Sequence, residues 1–97
     1  MKEIIEQAVL QWFNITKDEL YSLKETYPIS GSRSVFMYLL FKNNMNFAEI
    51  QQLFDYRRER TVELRIATVQ LDINRNHGRY AIDVDGVEKI IEQIKNK

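Results

Sequence analysis

The sequence predicts an all-α protein: one domain over residues 1–97, folded as a bundle of five to six helices. Three observations lead there. Apolar residues recur at helical spacing in segment after segment. Cap signatures stand in front of several of those segments. And 44% of the chain is hydrophobic while only 3 Gly and 1 Pro interrupt it, a composition suited to one packed core and not to disorder.

The first helix is expected over Lys2 to Phe13, where Ile4, Ile5, Ala8, Val9, Trp12 and Phe13 make one apolar face. Thr16 and Glu19 then form a capping box, and Ile15 with Leu20 a hydrophobic staple, so a short second helix should start at Lys17 and fade near Lys24 with Leu20 and Leu23 inward. Tyr27 to Gly31 reads as a loop, because Pro28 disfavours helix at Tyr27 and Gly31 admits positive φ. Ser30 or Ser32 can cap a third helix, over about Ser32 to Lys42. Its stretch Val35-Phe36-Met37-Tyr38-Leu39-Leu40-Phe41 is apolar on all sides, which suits the middle of a bundle. A buried strand is the competing reading of that run. Helix is preferred because Met and Leu favour it and no partner strand is visible.

Asn43-Asn44 ends the third helix, and Asn46 with Glu49 opens a fourth over about 47–54, with Ile50, Leu53 and Phe54 as its stripe. Asp55-Tyr56 marks a break. A fifth helix, about 57–74, carries Val62, Ile66, Val69 and Ile73 on one face and is closed by Asn74-Arg75-Asn76-His77-Gly78. A short extended or irregular piece, Arg79 to Asp83, is expected before a last helix capped by Asp85 with Glu88 at its third position and buried through Val87, Ile90, Ile91 and Ile94. The aromatics Trp12, Phe13, Phe36, Tyr38, Phe41 and Phe54 sit at helical spacings and read as core.

Charge and composition narrow the function. The 14 Lys+Arg balance 14 Asp+Glu, so there is no overall basic surface to announce nucleic-acid binding. The absence of cysteine excludes disulfides, thiolate metal sites and cysteine nucleophiles, and it is compatible with the cytoplasm. The longest strictly apolar run, Val35 to Phe41, is too short to span a bilayer, and the start MKEIIEQ places two glutamates where a signal peptide carries basic and apolar residues. No HExxH, phosphate loop or G-x-S-x-G is present. His77 reads as a solvated loop residue, and Asp83 with Asp85 is too sparse for an oxygen-ligand cation site. No enzyme, cofactor, metal or small-molecule substrate is expected.

The fourth and fifth helices, joined by a short turn, have the layout of a helix-turn-helix, whose second helix enters the major groove of DNA. Here that helix opens with Arg57-Arg58-Glu59-Arg60-Thr61. Arginines at a helix N-terminus oppose the dipole, which suggests a demand from outside the fold, and phosphate would supply it. Arginine also reaches guanine in bidentate fashion. The alternative reading of the same residues is a solvated first turn with local Arg–Glu pairs. Residues 33–65 carry six basic and four acidic side chains, residues 1–32 three and five, so the chain is mildly polarised.

Several strings resemble the C-terminal DNA-binding domain of the bacterial replication initiator DnaA, of the Trp-repressor-like superfamily. VLQWFNITKDEL, Val9 to Leu20, is similar to that domain's opening, an apolar helix, an aromatic, then I-T-x-x-x-L. Arg33-Ser34-Val35-Phe36-Met37-Tyr38-Leu39-Leu40 looks like "aRqiaMYLl", Asn46 to Ile50 stands where the family has S-L-P-E-I-G, and Arg57 to Val62 where it has G-R-D-H-S-T-V. The order and gaps fit over about residues 4–75. The resemblance implies a helical bundle containing a helix-turn-helix. It also implies phosphate-backbone contacts from Arg33, Ser34 and Arg57, base or groove contacts from Arg58, Glu59 and Arg60, and Thr61 as a threonine of the recognition helix.

The departures are specific. The family's Asp-His pair is Arg58-Glu59, so its DNA-box recognition is not expected to carry over. The strongly basic loop before the third helix is Lys24-Glu25-Thr26-Tyr27-Pro28-Ile29-Ser30-Gly31, and the paired glycines of the turn are Asp55-Tyr56. With no phosphate loop in the sequence, the initiator itself is not expected. The leading expectation is a small non-enzymatic protein that binds double-stranded DNA, regulates transcription or replication, has altered sequence specificity, and works as a homodimer or with a protein partner, since loss of the basic loop weakens one copy. The alternative is a protein-interaction module that kept the bundle and lost DNA. Guanidiniums of Arg57, Arg58 and Arg60 tied up by Asp55, Glu59 and Glu63, with Arg33 pointing elsewhere, would favour the second, and an exposed apolar patch would strengthen it.

Overall fold

The computed structural model describes residues 1–22, 24–54, 58–75 and 78–96, so expectations that fall on Leu23, Asp55, Tyr56, Arg57, Asn76 and His77 lie outside the described residues. The described chain is all-α: α1 (Lys2–Phe13), α2 (Lys17–Tyr21), α3 (Ile29–Lys42), α4 (Phe47–Phe54), α5 (Glu59–Asn74) and α6 (Arg79–Lys95), with no strand among the described residues.

The apolar run in α3 does what its sequence asks. Every residue from Gly31 to Leu40 is buried, and α1, α2, α4, α5 and α6 all pack against this helix. Full burial of side chains such as Phe36, Leu39 and Leu40 stabilises by roughly 1.5–3 kcal/mol each, so α3 is the axis of the core. Around it, α1 lies against α3 and α6, and α5 against α3, α4 and α6.

Local cap chemistry fixes two helix starts as expected. The Thr16 hydroxyl accepts from the Glu19 N–H at 3.1 Å while the Glu19 carboxylate accepts from the Thr16 N–H at 2.9 Å. Asn46 and Glu49 repeat the exchange at 2.9 and 3.1 Å in front of α4. Each cap is worth about 1 kcal/mol.

Two starts differ from the expectation. Helix α3 begins at Ile29, not Ser32: Pro28 stands as its N-cap with φ −89° and ψ 0°, already helical, so the turn runs straight into the helix. Gly31 is therefore helical and does not use positive φ. Its missing Cβ instead leaves room for the Tyr27 ring, which that carbon would meet at 3.3 Å. Helix α6 begins at Arg79, not at Asp85. Gly78, with φ +104°, turns the chain, and the carboxylate of Asp72 on α5 accepts from the Tyr80 N–H at 3.3 Å. The cap is supplied by another helix, so Arg79 to Asp83 is helical and Asp85 is an exposed residue inside α6, paired with Lys89 at 3.0 Å.

Two aromatics expected in the core lie at its edge. Trp12 is 40% exposed, but its ring lies against Gly86 and its Nε1–H donates to Asp83 Oδ1 at 3.0 Å. Phe41 is 43% exposed and stacks on Phe47 with ring centroids 4.8 Å apart.

Candidate functional site

The candidate site is the α4–α5 pair and what surrounds the start of α5. Phe54 closes α4 against Tyr21 and Phe36, with ring centroids 5.2 and 5.8 Å away. Val62, Ile66 and Val69 seat α5 on the core, as their spacing predicts. Arg58 is the N-cap of α5 in extended conformation and gives it no side-chain cap. Arg58, Glu59 and Arg60 are exposed and Thr61 is half-buried. Neither the Arg58 nor the Arg60 side chain makes a hydrogen bond or ion pair among the described residues, so the local Arg–Glu pairing that would have neutralised this turn does not form with Glu59 or Glu63. Arg57, the remaining arginine of the turn, lies outside the described residues.

Arg33 and Ser34 are placed elsewhere. Arg33 is 0% exposed. Its Nη1 donates to the carbonyl of Ser22 at 2.5 Å and its Nη2 to the carbonyl of Lys24, while Nε has no partner. The guanidinium holds the α2–α3 connection from inside and presents nothing to a polyanion. The expected phosphate contact from Arg33 is corrected on that ground. Ser34 is likewise buried: its hydroxyl donates to Ser30 O at 3.4 Å and accepts from Arg65 Nη1 at 3.1 Å.

Arg65, the next cation along α5, is also occupied. Its Nη2 lies 3.1 and 3.0 Å from the two carboxylate oxygens of Glu25, and its Nη1 reaches Ser30 O at 3.4 Å as well as Ser34. Of the basic residues expected to form one positive surface, Arg58 and Arg60 alone are both described and exposed at the start of α5, and Arg33 does not share their face.

The outward side of α5 is apolar beyond its first turn. At about 100° per residue, Arg60, Leu64, Ala67, Thr68 and Leu71 fall on one stripe opposite Val62, Ile66 and Val69. Leu64 is 54% and Leu71 55% exposed, and Ala67 is exposed between them. The Thr68 hydroxyl donates back to Leu64 O at 2.9 Å, so it is satisfied within the helix. Glu59 and Glu63 lie to one side of the stripe. The sequence did carry this signal, a second pair of leucines seven apart, but the stronger stripe of Val62, Ile66, Val69 and Ile73 drew the reading to the other face.

The rest of the molecule offers little chemistry. Asp83 is buried with Oδ1 on Trp12 and Oδ2 unpartnered, and no group of three His, Cys, Asp or Glu converges as a metal site among the described residues. A cleft of about 210 Å³ between α3, α5 and α6 is lined by Tyr38, Lys42, Ala81, Val84, Asp85 and Glu88. It is smaller than the ~300–1,000 Å³ of ordinary ligand sites. The Lys42 ammonium there bonds Glu88 at 3.2 Å, and that hydrogen bond holds its proton more tightly than usual. No described helix is long and apolar enough to cross a membrane. No protein-family model matches the chain, and no curated protein matches it significantly.

Proposed function

We propose that this domain is a non-enzymatic protein-interaction module, a helical bundle of the kind its strings resemble, in which the outer face of α5 contacts a protein partner instead of DNA. The observation that carries the reading is the character of that face: past Arg60 it offers Leu64, Ala67, Thr68 and Leu71, and Arg75, the next cation on the same side, already has a partner. The phosphate term that dominates DNA affinity needs several basic contacts, and the buried Arg33 and the Glu25-bound Arg65 supply none. A cytoplasmic setting belongs to the proposal, in keeping with the cysteine-free chain.

The second reading is duplex DNA through a helix-turn-helix formed by α4 and α5, with altered specificity. What favours it is the exposed pair Arg58 and Arg60, whose side chains are unpaired among the described residues, next to Arg57 in sequence, with Glu59 and Thr61 in the same turn.

One comparison separates them. The immobilised protein and its Leu64→Glu/Leu71→Glu variant are exposed to a lysate of the source cells, and both are titrated with mixed-sequence duplex DNA. Proteins retained by the wild type and lost by the variant support the interaction module. Duplex binding that persists near 150 mM salt, is lost in Arg58→Ala/Arg60→Ala and is indifferent to the leucines moves the function to DNA.

A further inference from the structure

We propose that the entry to α3 carries a site for a dianionic phosphate monoester, which Glu25 fills from within. The site goes beyond the interaction reading and does not rest on the leucines of α5. Its fixed part is Arg65, whose side chain is 20% exposed. Nη1 is keyed to the start of α3, 3.1 Å from the hydroxyl of the buried Ser34 and 3.4 Å from Ser30 O. Nη2 takes both oxygens of Glu25, at 3.1 and 3.0 Å. The loose part is the occupant. The Glu25 side chain is 67% exposed, stands in the exposed run from Lys24 to Tyr27, and bonds nothing but Arg65 among the described residues. An ion pair with one partner in water has a small net worth and is screened by salt, so an external oxyanion can exchange with it.

The surroundings call for more negative charge than one carboxylate supplies. Guanidiniums from three helices meet the α2–α3 connection: Arg65 of α5 on Glu25, Arg33 of α3 on the carbonyls of Ser22 and Lys24, and Arg79 of α6 over the Tyr27 ring, 4.0 Å from its centroid. Neither Arg33 nor Arg79 has a carboxylate partner among the described residues, and neither has the exposed Lys24. Against these four cations stand Glu25 and Asp72, and Asp72 already accepts from the Tyr80 N–H. Helix α3 adds to the field, because its first turn holds no acidic residue and its start no side-chain cap, which leaves the positive end of its dipole uncompensated from within. A phosphate monoester brings nearly two charges and three acceptor oxygens, and arginine binds such a group in bidentate fashion. A carboxylate or a phosphodiester brings one charge, no more than Glu25 already supplies.

The probes are methyl phosphate, a dianion above its second pKa of about 6, and dimethyl phosphate, a monoanion that stands for a nucleic-acid backbone. Each is titrated into the ¹⁵N-labelled protein at a fixed ionic strength of about 100 mM, by exchange against chloride, and amide shifts are followed. Glu25→Gln removes the internal occupant and is expected to bind methyl phosphate about fivefold tighter than the wild type, with the largest shifts at Ser34 and Arg65. Dimethyl phosphate is expected to show no such gain. Arg65→Gln in the Glu25→Gln background is expected to remove it; circular dichroism checks that each variant is folded, and Arg65→Lys, expected to lose at least half the gain, serves if the glutamine variant is not. Equal methyl phosphate affinity in the wild type and Glu25→Gln, or no binding in either, overturns the proposal: it is the result for an ion pair that only stabilises the fold. A gain that survives Arg65→Gln overturns it, as does dimethyl phosphate binding as tightly as methyl phosphate. None of these results touches the leucine-dependent partners, so the interaction reading stands or falls on its own experiment.

Discussion

Replacing Arg33 by alanine, methionine or lysine separates a buried structural guanidinium from a surface phosphate contact. The side chain is 0% exposed, with two hydrogen bonds to the carbonyls of Ser22 and Lys24 and an unpartnered Nε. Hydrogen bonds to a charged group contribute about 1.5–3 kcal/mol each, but releasing a buried cation to water returns part of that. Ser22 is half-buried and Lys24 exposed, so water reaches the orphaned carbonyls after truncation and limits the loss there. The aliphatic stem adds about 0.8 kcal/mol per buried methylene. Alanine loses the bonds and the stem and should cost about 3 kcal/mol, or on the order of 12–24 °C in Tm for a domain of this size. Methionine refills most of the volume without the charge and should cost about 1–2 kcal/mol. Lysine leaves a buried ammonium that cannot bridge both carbonyls and should resemble alanine. Urea unfolding followed by circular dichroism gives the three values, with m unchanged if only stability moves. If all three variants lie within about 0.5 kcal/mol of wild type, as surface substitutions do, Arg33 is not the internal strut described here.

Gly86→Ala places a Cβ 2.4–2.6 Å from the Trp12 ring, and despite alanine's better helix propensity it should destabilise by about 1–3 kcal/mol. The single tryptophan should swing outward from Asp83 and its emission shift to the red; an unshifted spectrum would contradict the packing. Burial and the hydrogen bond to Glu6 at 2.7 Å push the Tyr21 phenol well up, so the folded state holds this proton more tightly than the unfolded chain. That contribution is complete below the ordinary phenol pKa of about 10 and is lost as pH rises above it; Tyr21→Phe should flatten the high-pH slope of stability measured by urea unfolding. Leu64→Glu and Leu71→Glu alter exposed positions of α5 and should leave stability within about 0.5 kcal/mol, so that any loss of binding in these variants is a surface effect.

What the sequence shows of this fold is what local chemistry decides. Thr16 with Glu19 and Asn46 with Glu49 carry both halves of their caps within four residues, so the starts of α2 and α4 were readable to the residue. The seven-residue apolar run favoured a central helix over the competing buried strand, since Met and Leu are good helix formers and no partner strand was visible in the sequence. The start of α6 was hidden because its cap comes from Asp72, across the α5–α6 connection. Arg33 was misplaced for a related reason: its partners are main-chain carbonyls, which leave no mark in a pattern of side chains, and an arginine among apolar residues looks the same whether it faces water or a bent backbone. The outward leucines of α5 were legible as residues but not as a surface, since only the assembled bundle reveals which of the two apolar faces is already covered.

The carboxylate of Asp72 has a thermodynamic corollary. Because it accepts the Tyr80 N–H from the tail of α5, the leading turn of α6 is closed from outside its own segment, and unwinding the last turns of α5 takes that partner away. An isolated α6 peptide lacks the Asp72 carboxylate and is expected to fray first at this turn.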